Sequence, residues 1–190
     1  MRFLTDFADQ AVVLPLAACV LVALVAIGWR RGALAWAICV PGVLAAMLGL
    51  KLLTFACLNH LGWTGLSSPS GHTAGAAIVY GGLLALLAPP TSAATMGAAL
   101  LGGLVAMLFG LTRLALQVHT VADVAVGAAV GVAGTIAMRR LAGPRPARRL
   151  APWIVPVTAA VIVLFHGHRL EAESHIRWLA LAYWPLDRCQ

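Results

Sequence analysis

Two short polar stretches interrupt an otherwise apolar chain: Pro69-Ser70-Gly71-His72, and then Arg113 with His119 and Asp123. Ser70 and Gly71 stand where the third apolar run begins. A helix start presents unpaired backbone N–H groups and a partial positive charge, which suits an anion such as phosphate. Ser70 can cap that helix or donate its hydroxyl to a phosphate oxygen, and Gly71 lets a ligand approach the backbone closely. His72 then sits where an imidazolium can protonate a leaving oxygen. In the second stretch His119 and Asp123 are four apart, hence on one face if the helix already includes His119. A carboxylate on one imidazole nitrogen fixes the tautomer and leaves the other nitrogen as nucleophile or base. Arg113 offers a planar fork for phosphate oxygens. Each feature also has a plain structural explanation: an ordinary N-cap at Ser70, a Thr120–Asp123 capping box, a snorkelling arginine. Against that, Lys51, Arg113 and Asp123 are costly at membrane depth, which favours a functional role.

The elements that must hold these groups are the apolar runs around them. Five have membrane-spanning length, at 11–29, 33–56, 71–88, 93–111 and 120–138. Pro41 lies inside the second run and Lys51 near its far end, while Pro89-Pro90 stops the third. A sixth run, 153–165, is short and reaches across only by tilting or local thinning of the bilayer. The tail 166–190 mixes charge with Trp178, Tyr183 and Trp184, the composition of an interfacial segment. Asp6 and Asp9 before the first run, and Arg30-Arg31 directly after it, fit a mature helix better than a cleaved leader. Gly71 with Gly75, and Gly127 with Gly131, have the spacing that lets membrane helices approach closely. The expected fold is an all-α integral membrane protein, a bundle of about six transmembrane helices. Residues 1–150 form its core, and 151–190 add a C-terminal transmembrane or interfacial helix and tail.

Composition supports the membrane class. The chain is 62% hydrophobic and only 10% charged, with a mean hydropathy of +0.94. A soluble domain carries about 25% charged residues. The net charge of +7 raises nucleic acid as a partner, but the placement of the arginines argues against it. Arg30 and Arg31, and Arg139, Arg140, Arg145, Arg148 and Arg149, all fall between apolar runs. If every run spans, they lie on one side, the cytoplasmic side by the positive-inside rule, and both polar stretches face the exterior or periplasm. Cys19, Cys39, Cys57 and Cys189 form no CxxC and are read as small buried hydrophobes, not as a disulfide or metal framework. His166, His168, Glu171, Glu173 and His175 are dense in metal-ligand types but read as a solvated tail.

The two polar stretches resemble the motifs of the type 2 phosphatidic acid phosphatase (PAP2) family, which is related in its core to vanadium haloperoxidases. That family's second motif, PSGH, is matched in full by Pro69-Ser70-Gly71-His72. Its third, Ser-Arg-x5-His-x3-Asp, reads Thr112-Arg113-x5-His119-x3-Asp123, with Thr for Ser. Its first, Lys-x6-Arg-Pro, keeps Lys51 but has Leu58 and Asn59 where Arg-Pro is expected. The resemblance covers roughly residues 35–138.

The resemblance implies a phosphatase that needs no metal or cofactor. His119 attacks phosphorus and becomes a phosphohistidine, Asp123 orients it, and His72 protonates the leaving group and then activates water. Lys51, Ser70, the Gly71 amide and Arg113 hold the phosphate oxygens and stabilise the transition state. Asn59 or His60 is a possible substitute for the missing arginine. Short loops favour a laterally entering lipid, so the expected partner is a lipid phosphate or pyrophosphate in an inner (cell) membrane. A polyprenyl pyrophosphate, phosphatidate, phosphatidylglycerol phosphate and a phosphorylated glycolipid remain open. So do a lipid-to-lipid phosphotransferase, a catalytically impaired lipid-phosphate-binding protein and a vanadate-dependent peroxidase.

Overall fold

The computed structural model describes residues 1–58, 65–89, 93–144, 151–170 and 172–183, and every regular element among them is helical. A short helix α1 (Arg2–Asp6) leads into α2 (Gln10–Ala26). Asp9 caps α2 by accepting the Ala11 amide at 2.9 Å. Next, α3 (Arg30–Leu53) runs straight into a π-helical turn, Thr54–Leu58. After the PSGH loop, α4 (Gly71–Ala76), a second π-helical turn (Ala77–Gly81) and α5 (Gly82–Leu87) follow without a break. The chain then forms α6 (Ala94–Ala115), α7 (Val121–Leu141), α8 (Ala151–Phe165) and α9 (Ala172–Tyr183).

Three stretches, Arg30–Cys57, Ala94–Ala115 and Val121–Leu141, are long and apolar enough to cross a membrane. Three shorter apolar helices, Gln10–Ala26, Gly71–Leu87 and Ile154–Phe165, accompany them. Large apolar side chains such as Val22, Leu100, Leu104 and Val163 remain exposed on the outside, which suits lipid rather than water. This is an all-α membrane protein.

Helix α7 is central and packs on α6, α3 and α4. Its small residues make that possible. A Cβ at Gly127 would strike the carbonyl oxygen of Ser70, and one at Gly131 would lie 2.7 Å from the Ala77 Cβ. The expected close approach therefore holds for Gly127 and Gly131. Gly71 and Gly75 instead meet only ordinary contacts, Lys51 Cε and Gln10 Nε2, each at 3.5 Å. The Ala77 carbonyl, at the start of the second π-helical turn, accepts the Thr135 hydroxyl at 2.8 Å, so α7 satisfies a group of the irregular turn. Trp36, Leu16, Leu24, Ile78, Leu86 and Met138 fill the core. The Trp36 indole donates to the Ala17 carbonyl at 2.9 Å and ties α3 to α2.

The bundle has two chemically different ends. Arg30 and Arg31 begin α3, and Arg139 and Arg140 end α7, with the Arg31 guanidinium against Gly143. Lys51 lies 20 residues along α3 from Arg31, roughly 30 Å away at the helical rise. At that second end the N-terminal segment meets residues 166–170. Arg169 forms a double hydrogen bond with Asp6, at 2.8 and 3.0 Å, and the Leu170 amide donates to Asp9 at 2.9 Å. The His166 ring lies between Phe3 and Phe7, with centroids at 4.5 and 4.3 Å. The tail is therefore not simply solvated: α8 runs beside α2, and residues 166–170 and Glu173 lie across the polar end. Contrary to the expectation from sequence, Cys57 is disulfide-bonded and not a free apolar side chain. It sits in the π-helical turn that closes α3 at this polar end, not inside the apolar core. Cys19 and Cys39 are free, as expected.

Candidate active site

Asp123 joins the two motif loops. Its Oδ1 accepts the amides of Ser67 and Ser68 at 3.0 and 2.8 Å. Its Oδ2 accepts the Ser67 hydroxyl at 2.7 Å and the Thr120 amide at 2.9 Å. Its main-chain oxygen accepts the Ser70 amide at 2.9 Å. Thr120 completes the capping box by accepting the Asp123 amide, and its hydroxyl donates to the Gly65 carbonyl at 3.1 Å. The PSGH loop is thereby tied to the start of α7 by a residue that also caps it.

The local fold around His119 differs from expectation. Helix α6 continues past Leu111 to Ala115, so Arg113 lies in its last turn. The Thr112 hydroxyl donates to the Phe109 carbonyl at 2.7 Å, which lets a polar residue stay in the helix. The chain then reverses through Gln117, whose φ of 54° is left-handed, the usual way to end a helix. Helix α7 starts only at Val121, so His119 precedes the Thr120 cap and is not on the helix. The cap turn still brings His119 Nδ1 to 3.6 Å from Asp123 Oδ2. The His119 side chain is only 1% exposed, and Nδ1 has no hydrogen-bond partner among the described residues.

A cavity of about 900 Å³ opens at this end. Lys51 from α3, Gly71 and His72 from α4, and Arg113 from α6 all line it. Three separate motif segments thus converge on one space. Leu14, Leu44, Met47, Leu48, Ile176 and Leu179 continue it as an apolar wall between α2, α3 and α9. Ser70 does not line it: fully buried, its hydroxyl caps α4 and lies 2.9 Å from the Thr73 hydroxyl. His119 does not line it either, although its neighbour Val118 does. Asn59 and His60 lie outside the described residues.

Four further groups belong to this site. Lys51 Nζ donates to the Ser68 hydroxyl at 2.7 Å and pairs with Glu173 at 3.0 Å. Arg113 Nη1 donates to the Thr5 hydroxyl at 3.3 Å, while its buried Nε has no partner among the described residues. His72 Nε2 lies 3.6 Å from Asp9 Oδ2. Burial alone would raise the Asp9 carboxyl, but His72 and the amides of Ala11 and Leu170 outweigh it and hold it below the ordinary range. Glu173 behaves likewise: burial raises it, and Lys51 then pulls it down further. His119 is lowered, first by burial; Glu173 opposes this, Arg113 and Lys51 reinforce it, and Asp123 opposes it. Glu173, Arg113 and Lys51, which act on His119 electrostatically, all line the cavity. Sequence reading did not single out Asp9, Ser68 and Glu173 for the site. The one signal in the chain was an acidic pair ahead of the first run and acids in the tail, on the side that parity gives to the site.

A family model described as the PAP2 superfamily matches residues 16–147. The chain belongs to the PAP2 superfamily. That membership supports phosphatase-type activity in general and covers every motif residue at the cavity. Asp9, Arg169 and Glu173 lie outside the PAP2 match, on the two flanks that close over the site. Nothing among curated proteins or solved structures matches the chain.

Proposed function

We propose that this PAP2 protein is a metal-independent membrane phosphatase that hydrolyses a lipid phosphate or lipid pyrophosphate through a phosphohistidine. The observation that carries the reading is the cavity in which Lys51, Gly71, His72 and Arg113 meet and which continues into an apolar wall. A charged seat joined to an apolar groove fits a phosphorylated headgroup with its hydrocarbon chain beside it.

The reaction runs in two steps. His119, neutral, attacks phosphorus; the phosphorus–oxygen bond to the lipid breaks as His72 gives its proton to the leaving oxygen. His72 then takes a proton from water, whose oxygen attacks phosphorus, and the phosphorus–nitrogen bond breaks to release phosphate and free His119. Lys51, the Gly71 amide and Arg113 carry the charge of the transition state. Asp123 holds His119 and the PSGH loop in register. Ser70 acts as the cap of α4 and sets the direction of the Gly71 amide.

The site end faces the extracytoplasmic side of a cell membrane in this reading. Arg30, Arg31, Arg139 and Arg140 lie at the opposite end, and Arg145, Arg148 and Arg149 follow them in the sequence. This supports a cytoplasmic assignment of that end by the positive-inside rule, while Arg2, Lys51, Arg113 and Arg169 belong to the site. The disulfide at Cys57 belongs to the site end, and disulfides persist in oxidising compartments. Phosphate release by the purified protein in detergent, from lipid phosphates and pyrophosphates with chelator present, tests the reading. Absence of release from all of them by the folded protein counts against it.

A further inference from the structure

The anion seat at Lys51 is already occupied by the chain itself. Lys51 is 5% exposed, and its Cε lies 3.5 Å from where a Cβ on Gly71 would be, so the ammonium stands at the start of α4. Its partners among the described residues include the Ser68 hydroxyl and the Glu173 carboxylate, at 2.7 and 3.0 Å. Glu173 comes from the first turn of α9, beyond the PAP2 match. Its side chain is 47% exposed, so it can leave the seat without unpacking the core. The connection that delivers it is anchored separately, by Arg169 on Asp6 and the Leu170 amide on Asp9.

A carboxylate is a monoanion with two acceptor oxygens. A ligand that replaces it must do better than exchange one negative charge for another. A phosphodiester carries a single charge and gains nothing at Lys51 from such an exchange. A phosphomonoester carries about −1.5 to −2 near neutral pH and does gain. The surrounding membrane is rich in diester headgroups, so the discrimination matters for any site open to lipid.

Resting on the phosphatase reading above, we infer that Glu173 determines specificity: it fills the Lys51 seat and yields it only to a headgroup bearing more than one negative charge, which excludes phosphodiester lipids. It is a competitor for the seat and takes no part in bond breaking.

The test compares the full-length wild type with Glu173→Gln and Glu173→Asp in neutral detergent. Phosphate release from phosphatidate is measured with increasing phosphatidylglycerol, a diester. The Gln protein should be inhibited competitively at about three- to fivefold lower phosphatidylglycerol than wild type, the scale of one half-exposed ion pair. The Asp protein, which keeps the charge, should resemble wild type. Equal inhibition of all three overturns the inference. A second measurement needs no turnover: thermal stabilisation of each protein by dimethyl phosphate, a monoanionic diester. Stabilisation confined to the Gln protein supports the role of Glu173 even if no lipid is hydrolysed. Release of phosphate with identical responses to dimethyl phosphate would retain the phosphatase and discard the filter.

Discussion

His119 Nδ1 faces Asp123 Oδ2 at 3.6 Å, while that same carboxylate accepts four hydrogen bonds from Ser67, Ser68 and Thr120. Asp123 is therefore a structural junction as well as the partner of an imidazole. Its saturation also explains why it can remain fully buried: every oxygen has donors.

The two roles separate by mutation. Asp123→Ala would leave several buried donors without an acceptor and should destabilise the protein by about 3 kcal/mol or more. His119→Ala should abolish phosphate release while changing stability far less. Thermal unfolding in detergent alongside activity reads both. An Asp123→Ala protein that melts with wild type would show that the loop does not depend on this carboxylate.

Close packing at Gly127 gives a second prediction. An Ala there meets the Ser70 carbonyl and should displace the PSGH loop, at a cost of about 1–3 kcal/mol and with a marked loss of kcat. Gly103, in α6, has nothing among the described residues within 4 Å of where a Cβ would stand. Gly103→Ala should be neutral or stabilising by up to about 1 kcal/mol. Equal effects of the two substitutions would contradict this packing.

Arg113 predicts a third outcome. Arg113→Lys keeps the charge but loses the planar fork, so kcat/KM should fall about ten- to a hundredfold, the scale of a lost charge-assisted hydrogen bond. Steady-state kinetics on one lipid phosphate measures it. An unchanged kcat/KM would remove Arg113 from the phosphate seat.

The pH profile follows from the surroundings of His119. Burial leads in lowering its pKa, with Arg113 and Lys51 adding to it against Glu173 and Asp123. The nucleophile must be neutral, so activity is lost as pH falls through the His119 pKa. A lowered value places that acid limb below the ordinary imidazole value of about 6.5. Glu173→Gln removes the largest opposing charge and should move the limb lower still. Comparing the two proteins on one substrate cancels the substrate's own titration, and a limb that moves upward in the variant would contradict the assignment.

How much of this was legible in the sequence differs by residue. PSGH and the Arg113–His119–Asp123 stretch were legible because each is local, with chemistry set by short spacings. The helix ends were less so. Hydropathy falls at Thr112, yet the helix continues because Thr112 satisfies its hydroxyl on the Phe109 carbonyl and Arg113 reaches Thr5. Glu173 and Asp9 were not legible as site residues. Their partners Lys51 and His72 lie 122 and 63 positions away in the chain, and only the fold closes such distances. Cys57 was misread because burial and disulfide bonding favour the same residue type.

The most direct measurement of the central claim is phosphate release from phosphatidate and a polyprenyl pyrophosphate, in detergent with chelator present, together with recovery of phosphate bound to the protein after rapid quenching. Wild type should release phosphate and carry an acid-labile, alkali-stable phosphoryl group on His119. His119→Ala should do neither. Release that persists in His119→Ala, or a folded wild type that releases phosphate from neither lipid, would contradict the account.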